Sequence, residues 1–177
     1  MSIEELLVSH TSPTLAGIKP ASLVNLAHLE GQPGEMPQLG EKGIAFMAIQ
    51  TLSGCSLLLV YRPARVAEAM KHPAAERILK AAGYDTSDPA GAIAFLRERF
   101  RMERCPHEVG IFLGYPAEDV AGFIANNGMN ALASGIWKVY SDTERAGAIV
   151  RRWMECRRKY IECFRMGMDI SRLCVSA

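Results

Sequence analysis

Apolar positions along the chain fall into short runs separated by glycine, proline and capping residues. Their spacing predicts an alternation of helices and strands. Residues 44–52 and 55–61 are two such runs with Ser53-Gly54 between them. Their length and the glycine turn predict a β-hairpin, ended by Arg62-Pro63. Residues 66–70, 73–82 and 89–102 carry apolar side chains at helical spacing behind proline or aspartate starts, and Gly83 stops the second of them. Residues 109–113 form a continuous apolar run closed by Gly114, which predicts a strand buried on both faces. Pro116, Glu118 and Asp119 then open a helix, with the acids at the positive end of its dipole. Residues 135–140 predict a further strand, and Ser141 or Asp142 caps a long helix from about Thr143.

Two successive strand-to-helix units predict parallel neighbours with a right-handed crossover. Their carboxyl ends then lie side by side, bringing Gly114, Tyr115, Pro116 and Asp119 near Tyr140, Ser141 and Asp142. In open α/β sheets ligands bind in such a crevice. Nearer the amino end, Ser12 and Pro13 predict a helix start, Gly17 and Pro20 break it, and residues 21–29 resume it. Glycines and prolines within 30–43 predict a loop. The fold class is α/β, with α+β as the alternative: one domain over residues 1–177, with a small mixed sheet of about four strands flanked by helices and closed by a long C-terminal helix.

At 177 residues, 49% hydrophobic and 22% charged, the chain buries a sizeable core and is not disordered. A net charge of +1 gives no general pull toward nucleic acid or anionic membranes. No apolar run reaches membrane-spanning length, and Met1-Ser2-Ile3-Glu4-Glu5 is acidic where a secretory signal is basic. The expectation is a cytoplasmic protein without a membrane partner. Five cysteines without a CxxC pair agree, since an odd number suits neither a disulfide framework nor a zinc ribbon.

The chemistry-bearing residues concentrate in 105–120. His107 beside Glu108 is a candidate general base with its orienting carboxylate, or half of a metal site. On a strand, however, adjacent side chains point to opposite faces. Cys105-Pro106-His107 is the weak candidate for metal or haem. Lys138 interrupts an apolar strand on the face of Ile136 and Tyr140, opposite Trp137 and Val139. Either that face is open to solvent, or the buried lysine meets an acid, such as Glu108 or Asp119, or an anionic ligand. Lys19 and Arg62 are further cations suited to a phosphate or carboxylate.

Four blocks carry a resemblance. They are His10-Thr11-Ser12-Pro13-Thr14-Leu15-Ala16-Gly17-Ile18-Lys19-Pro20-Ala21-Ser22-Leu23, Val60-Tyr61-Arg62-Pro63, Pro106 through Pro116, and Trp137-Lys138-Val139-Tyr140. In this order they resemble an uncharacterised bacterial family known as domain of unknown function 3793. The resemblance covers essentially the whole chain. It implies an intracellular protein, frequent in anaerobic bacteria, and brings no established activity, cofactor or catalytic residue. Cys105 stands where an aromatic or other apolar residue is expected, which argues against an essential thiol.

Two functions follow as expectations. The first is binding, with turnover possible, of a small anionic molecule or cofactor in the crevice. Its ligands are Lys19, Arg62, Tyr115, Asp119, Lys138 and Tyr140, and its catalytic candidates are His107, Glu108, Tyr115 and Lys138. The cofactor itself is not specified by these residues. The second is docking of a protein or nucleic acid on the last helix, where residues 145–172 hold eight basic against three acidic side chains. The overall balance disfavours nucleic acid. Ala146, Ile149, Val150, Trp153, Tyr160 and Phe164 follow helical spacing there and predict its buried face.

Overall fold

A computed structural model of the chain describes residues 1–29, 36–103 and 105–176, the side chain of His28 excepted. The predicted hairpin is present as β2 (Ala45–Gln50) and β3 (Ser56–Tyr61), and Gly54 in its turn adopts φ +82°. β1 (Ala21–Asn25) pairs with the other edge of β3, so the sheet order is β1-β3-β2 and both pairings are antiparallel. Side chains alternate across this sheet with the strand period of two. Ala21, Met47, Ile49, Leu57 and Leu59 face one apolar core, while Val24, Phe46, Leu58 and Val60 face a second. Leu58, Leu59 and Val60 are all buried because β3 is central and covered on both sides. Each such side chain contributes roughly 1.5–3 kcal/mol.

Helices cover the two faces. α2 (Pro63–Met70), α3 (Pro73–Ala81), α4 (Pro89–Met102), α5 (Val109–Phe112) and α6 (Ala117–Ala125) enclose the first core. α1 (Ile3–Leu15), α8 (Ile170–Leu173) and the carboxyl half of α7 (Thr143–Arg165) enclose the second. A hairpin of two-residue strands, β4 (Ala133–Ser134) and β5 (Lys138–Val139), stands apart from the main sheet. Mixed α and β structure closed by a long C-terminal helix is therefore what the chain forms. None of the described helices is long and apolar enough to cross a membrane.

Four local expectations are corrected. Ser12 and Pro13 lie in the last turn of α1 rather than at a helix start. The helix begins ten residues earlier, where Ser2 and Glu5 form a reciprocal capping box. The Thr11 and Ser12 hydroxyls donate back to the Leu7 and Val8 carbonyls, and Gly17 at φ +71° ends the helix. Residues 21–29 are β1 and a 3₁₀ turn (Leu26–His28), because the free edge of β3 takes residues 21–25 into the sheet. Residues 109–113 form the one-turn helix α5 instead of a strand. A run this short has no readable period when every side is buried. Residues 135–140 bend into the antiparallel β4–β5 hairpin, so the parallel pair, its crossover and the crevice at its strand ends do not exist. Of the predicted 30–43 loop, residues 30–35 lie outside the described residues; the remainder holds a 3₁₀ turn (Gly40–Lys42) closed by left-handed Gly43.

Candidate functional site

α5 and α6 form a tight helical corner. Gly114 at φ +75° ends α5, and the Tyr115 N–H reaches back 2.9 Å to the Gly110 carbonyl, a helix-closing bond that turns the chain sharply. Close approach of α6 requires Gly110 to lack a side chain. A Cβ there would stand 2.7 Å from Val120 and 3.0 Å from the Tyr115 ring. Pro116 then caps α6 and presents Asp119 in its first turn, as the sequence pattern indicates.

Asp119 fastens the β4–β5 hairpin to this corner. Its Oδ1 accepts from the Tyr140 N–H (2.8 Å), the Ser141 N–H (2.9 Å) and the Ser141 hydroxyl (2.7 Å), and its Oδ2 accepts from Trp137 Nε1 (2.8 Å). Burial would raise the Asp119 pKa, but the donors from Tyr140, Trp137 and Ser141 outweigh it and hold the carboxyl below its ordinary value. A two-residue ladder is too short to hold a hairpin in water. The carboxylate supplies the attachment that the ladder lacks.

Between the corner and the hairpin lies a cavity of about 330 Å³, lined by Cys105, His107, Val109, Gly110, Tyr115, Asp119, Val120, Phe123 and residues 134–138. Aromatic rings dominate its wall. Tyr115 stacks on Trp137 at 5.0 Å between centroids, and His107 meets Phe123 edge-on at 4.9 Å. Lys138 runs beside the Phe123 ring, 6.0 Å from its centroid, and its ammonium donates to the Gly128 carbonyl. It meets neither Glu108 nor Asp119. The alternation read from the sequence holds here, since Trp137 and Val139 are buried while Ile136 and Lys138 are exposed. Burial and the neighbouring Glu108 push the Cys105 thiol up, and burial with the nearby Cys105 pushes the Tyr115 phenol up. A thiol shifted this way is a weak source of thiolate.

Tyr115, Asp119 and Lys138 line this one cavity, together with His107 and Cys105. The other candidates lie elsewhere. Glu108 is buried and turns away, accepting from Tyr84 Oη (3.0 Å) and Arg99 Nε (2.9 Å), so it does not orient His107. Tyr140 packs its ring on Gly122 of α6, and its buried hydroxyl has no partner among the described residues. Lys19 sits outside the cavity lining, its ammonium 4.7 Å from the Trp153 ring and 5.8 Å from Tyr115, and burial lowers its pKa to about 8. Arg62 is distant and structural: it is buried, donating to Thr14, Leu15, Lys42 and Val175 carbonyls. Trp137 and Phe123 are wall residues that the site reading missed. The signal for Trp137 was its indole N–H, which demands an acceptor once buried.

Two other features complete the picture. A larger open space of about 720 Å³ on α7 is lined only by side chains of residues 154–166, with no second element opposite, so it is a helix surface and not a cleft. Among the described residues no three His, Cys, Asp or Glu side chains converge to hold a metal ion. A family model described as "Protein of unknown function (DUF3793)" matches residues 7–174. No curated protein and no solved structure matches the chain.

Proposed function

The chain belongs to the DUF3793 family, whose description names no activity, and we propose from the geometry that it binds a small anionic molecule in the cavity between the α5–α6 corner and the β4–β5 hairpin. One observation carries this reading: Lys138 and His107 line one concave space with an aromatic wall built by separate parts of the chain. Lys138 spends one N–H on the Gly128 carbonyl and keeps two for a ligand. A concave, mostly apolar cavity with a few polar groups is the usual form of a small-molecule site. Five free cysteines, Cys55, Cys105, Cys156, Cys163 and Cys174, support placement in a reducing compartment, the cytoplasm.

Thermal melts of wild type and Lys138→Met against a library of small anionic metabolites test the proposal. Lys138 is exposed and pairs with no acid among the described residues, so the substitution strands no charge there and shifts stability by under about 1 kcal/mol. The expected result is a ligand-induced rise in melting temperature for wild type that Lys138→Met abolishes. A library without any stabilising anion, together with native mass spectrometry finding nothing bound to protein from its own host, would sink the idea.

A second reading rests on a different observation. Arg157, Arg158 and Arg165 are exposed on α7 alongside Met154 and Met166, which are 59% and 84% exposed. An acidic amphipathic segment of a partner protein matches that mixture, whereas nucleic acid has no use for the methionines. Salt-sensitive binding to an acidic helical peptide, lost in a double Arg157→Ser, Arg165→Ser variant, separates this surface from the cavity.

A further inference from the structure

The make-up of the cavity narrows the ligand. Four of its lining side chains carry flat rings: His107, Tyr115, Phe123 and Trp137. The Tyr115 and Trp137 ring planes lie 21° from parallel and stack on one another, giving the cavity an aromatic surface, with Trp153 at 5.6 Å from Trp137 and 6.3 Å from Tyr115. Flat molecules gain offset-stacking contact on such a surface that a branched or extended aliphatic molecule does not. Gly135 borders the same space and brings no side chain to it.

Size and charge then limit the rest. A volume of about 330 Å³ is at the low end for ligand cavities and admits one or two fused rings, not a dinucleotide. Among the described residues, the cationic or potentially cationic groups in the lining are Lys138 and His107. Asp119 stands in the same wall, its negative charge spread over four hydrogen-bond donors. That balance accommodates a monoanion beside Lys138 and disfavours a phosphate dianion, which is better served by arginine forks or a backbone nest. The Asp119 oxygens are occupied, so they do not compete for the ligand's own donors.

Resting on the binding reading above, we infer that the ligand is a planar aromatic monocarboxylate of one or two rings, its face against the aromatic wall and its carboxylate at Lys138. No bond is made or broken. Calorimetric titration of the full chain with quinoline-2-carboxylate, indole-3-carboxylate, quinoline-2-carboxamide, succinate and inorganic phosphate tests it, with tryptophan emission followed in parallel. Both ring carboxylates bind saturably and change the emission, because Trp137 lies in the wall. Lys138→Met weakens them about tenfold, and the carboxamide binds at the weakened level to both proteins.

Succinate or phosphate binding as tightly as the ring carboxylates, with loss in Lys138→Met, overturns the ligand class and leaves the anion site standing. No saturable binding by any of the five overturns both. Carboxylate and carboxamide binding equally to wild type overturns the role of Lys138 and leaves only an aromatic cleft.

Discussion

Replacing Asp119 tests whether one carboxylate holds the hairpin in place. Asp119→Ala removes the acceptor of four hydrogen bonds, three of them to Oδ1 and one to Oδ2. A hydrogen bond to a charged group contributes about 1.5–3 kcal/mol net. The four do not add, because exposed Ser141 turns both its donors to water. Trp137 Nε1 and the Tyr140 N–H are partly or wholly shielded and lose most. Removing a buried charge offsets a fraction of this, leaving a loss of roughly 3–5 kcal/mol. For a chain of 177 residues that corresponds to a drop in melting temperature on the order of 6–20 °C. Asp119→Asn keeps one carbonyl oxygen but sets an amide donor against the donors, and loses about half as much. Urea unfolding followed by tryptophan emission measures both variants. Because the Asp119 pKa is lower folded than unfolded, its contribution is complete above the ordinary aspartate range near pH 4 and is lost as pH falls through the lower folded value. Wild type minus Asp119→Asn isolates that acid limb. Losses under 1 kcal/mol in both variants, or an unchanged acid limb, would refute the account.

Other expectations follow from named contacts. Gly122→Ala drives a Cβ into the Tyr140 side chain and is expected to cost about 1–3 kcal/mol while shifting tryptophan emission; a neutral effect in urea unfolding contradicts that packing. Arg62→Lys cannot reach four carbonyls from one ammonium and is expected to lose at least about 2 kcal/mol, measured as a lower urea midpoint at unchanged slope. Lys19 binds its proton less tightly folded than unfolded, so it makes stability rise with pH between about 8 and the ordinary lysine range. The raised cysteine and tyrosine groups act in the opposite direction at high pH, so the difference between wild type and Lys19→Met carries the effect, and a flat difference from pH 7 to 10 rejects it.

Glycine and proline punctuation made much of this fold legible. Ser53-Gly54 marked the β2–β3 hairpin, and Pro63, Pro73 and Pro89 open α2, α3 and α4. The capping box at Ser2 and Glu5 is equally present in the sequence, whereas the Ser12-Pro13 pair, which predicts a helix start, lies at the end of α1. Val109–Phe112 was unreadable for a physical reason: enclosed on every side, one helical turn shows no polar stripe. At the site, Tyr115, Asp119 and Lys138 were legible as residues but not in their assembly. Parallel strands do not gather them; a carboxylate reaching an indole 18 residues along the chain does. Of the alternatives open for Lys138, the exposed face is the one realised, because a two-residue hairpin strand leaves its side chain in solvent.

The contacts of Arg62 bear on the order in which the molecule assembles. Its guanidinium closes chain separations of 20, 47, 48 and 113 residues at one point. Long loops must lose their freedom before such contacts return anything, so the charge stays hydrated while β2 and β3, adjacent in sequence, pair first. Dehydration of the guanidinium then coincides with the docking of α1, the Lys42 turn and Val175. Contacts absent from the transition state govern unfolding more than folding. On a chevron plot, damage at Arg62 belongs on the unfolding arm: the residue sets how long the folded molecule lasts, and has little say in how fast it forms.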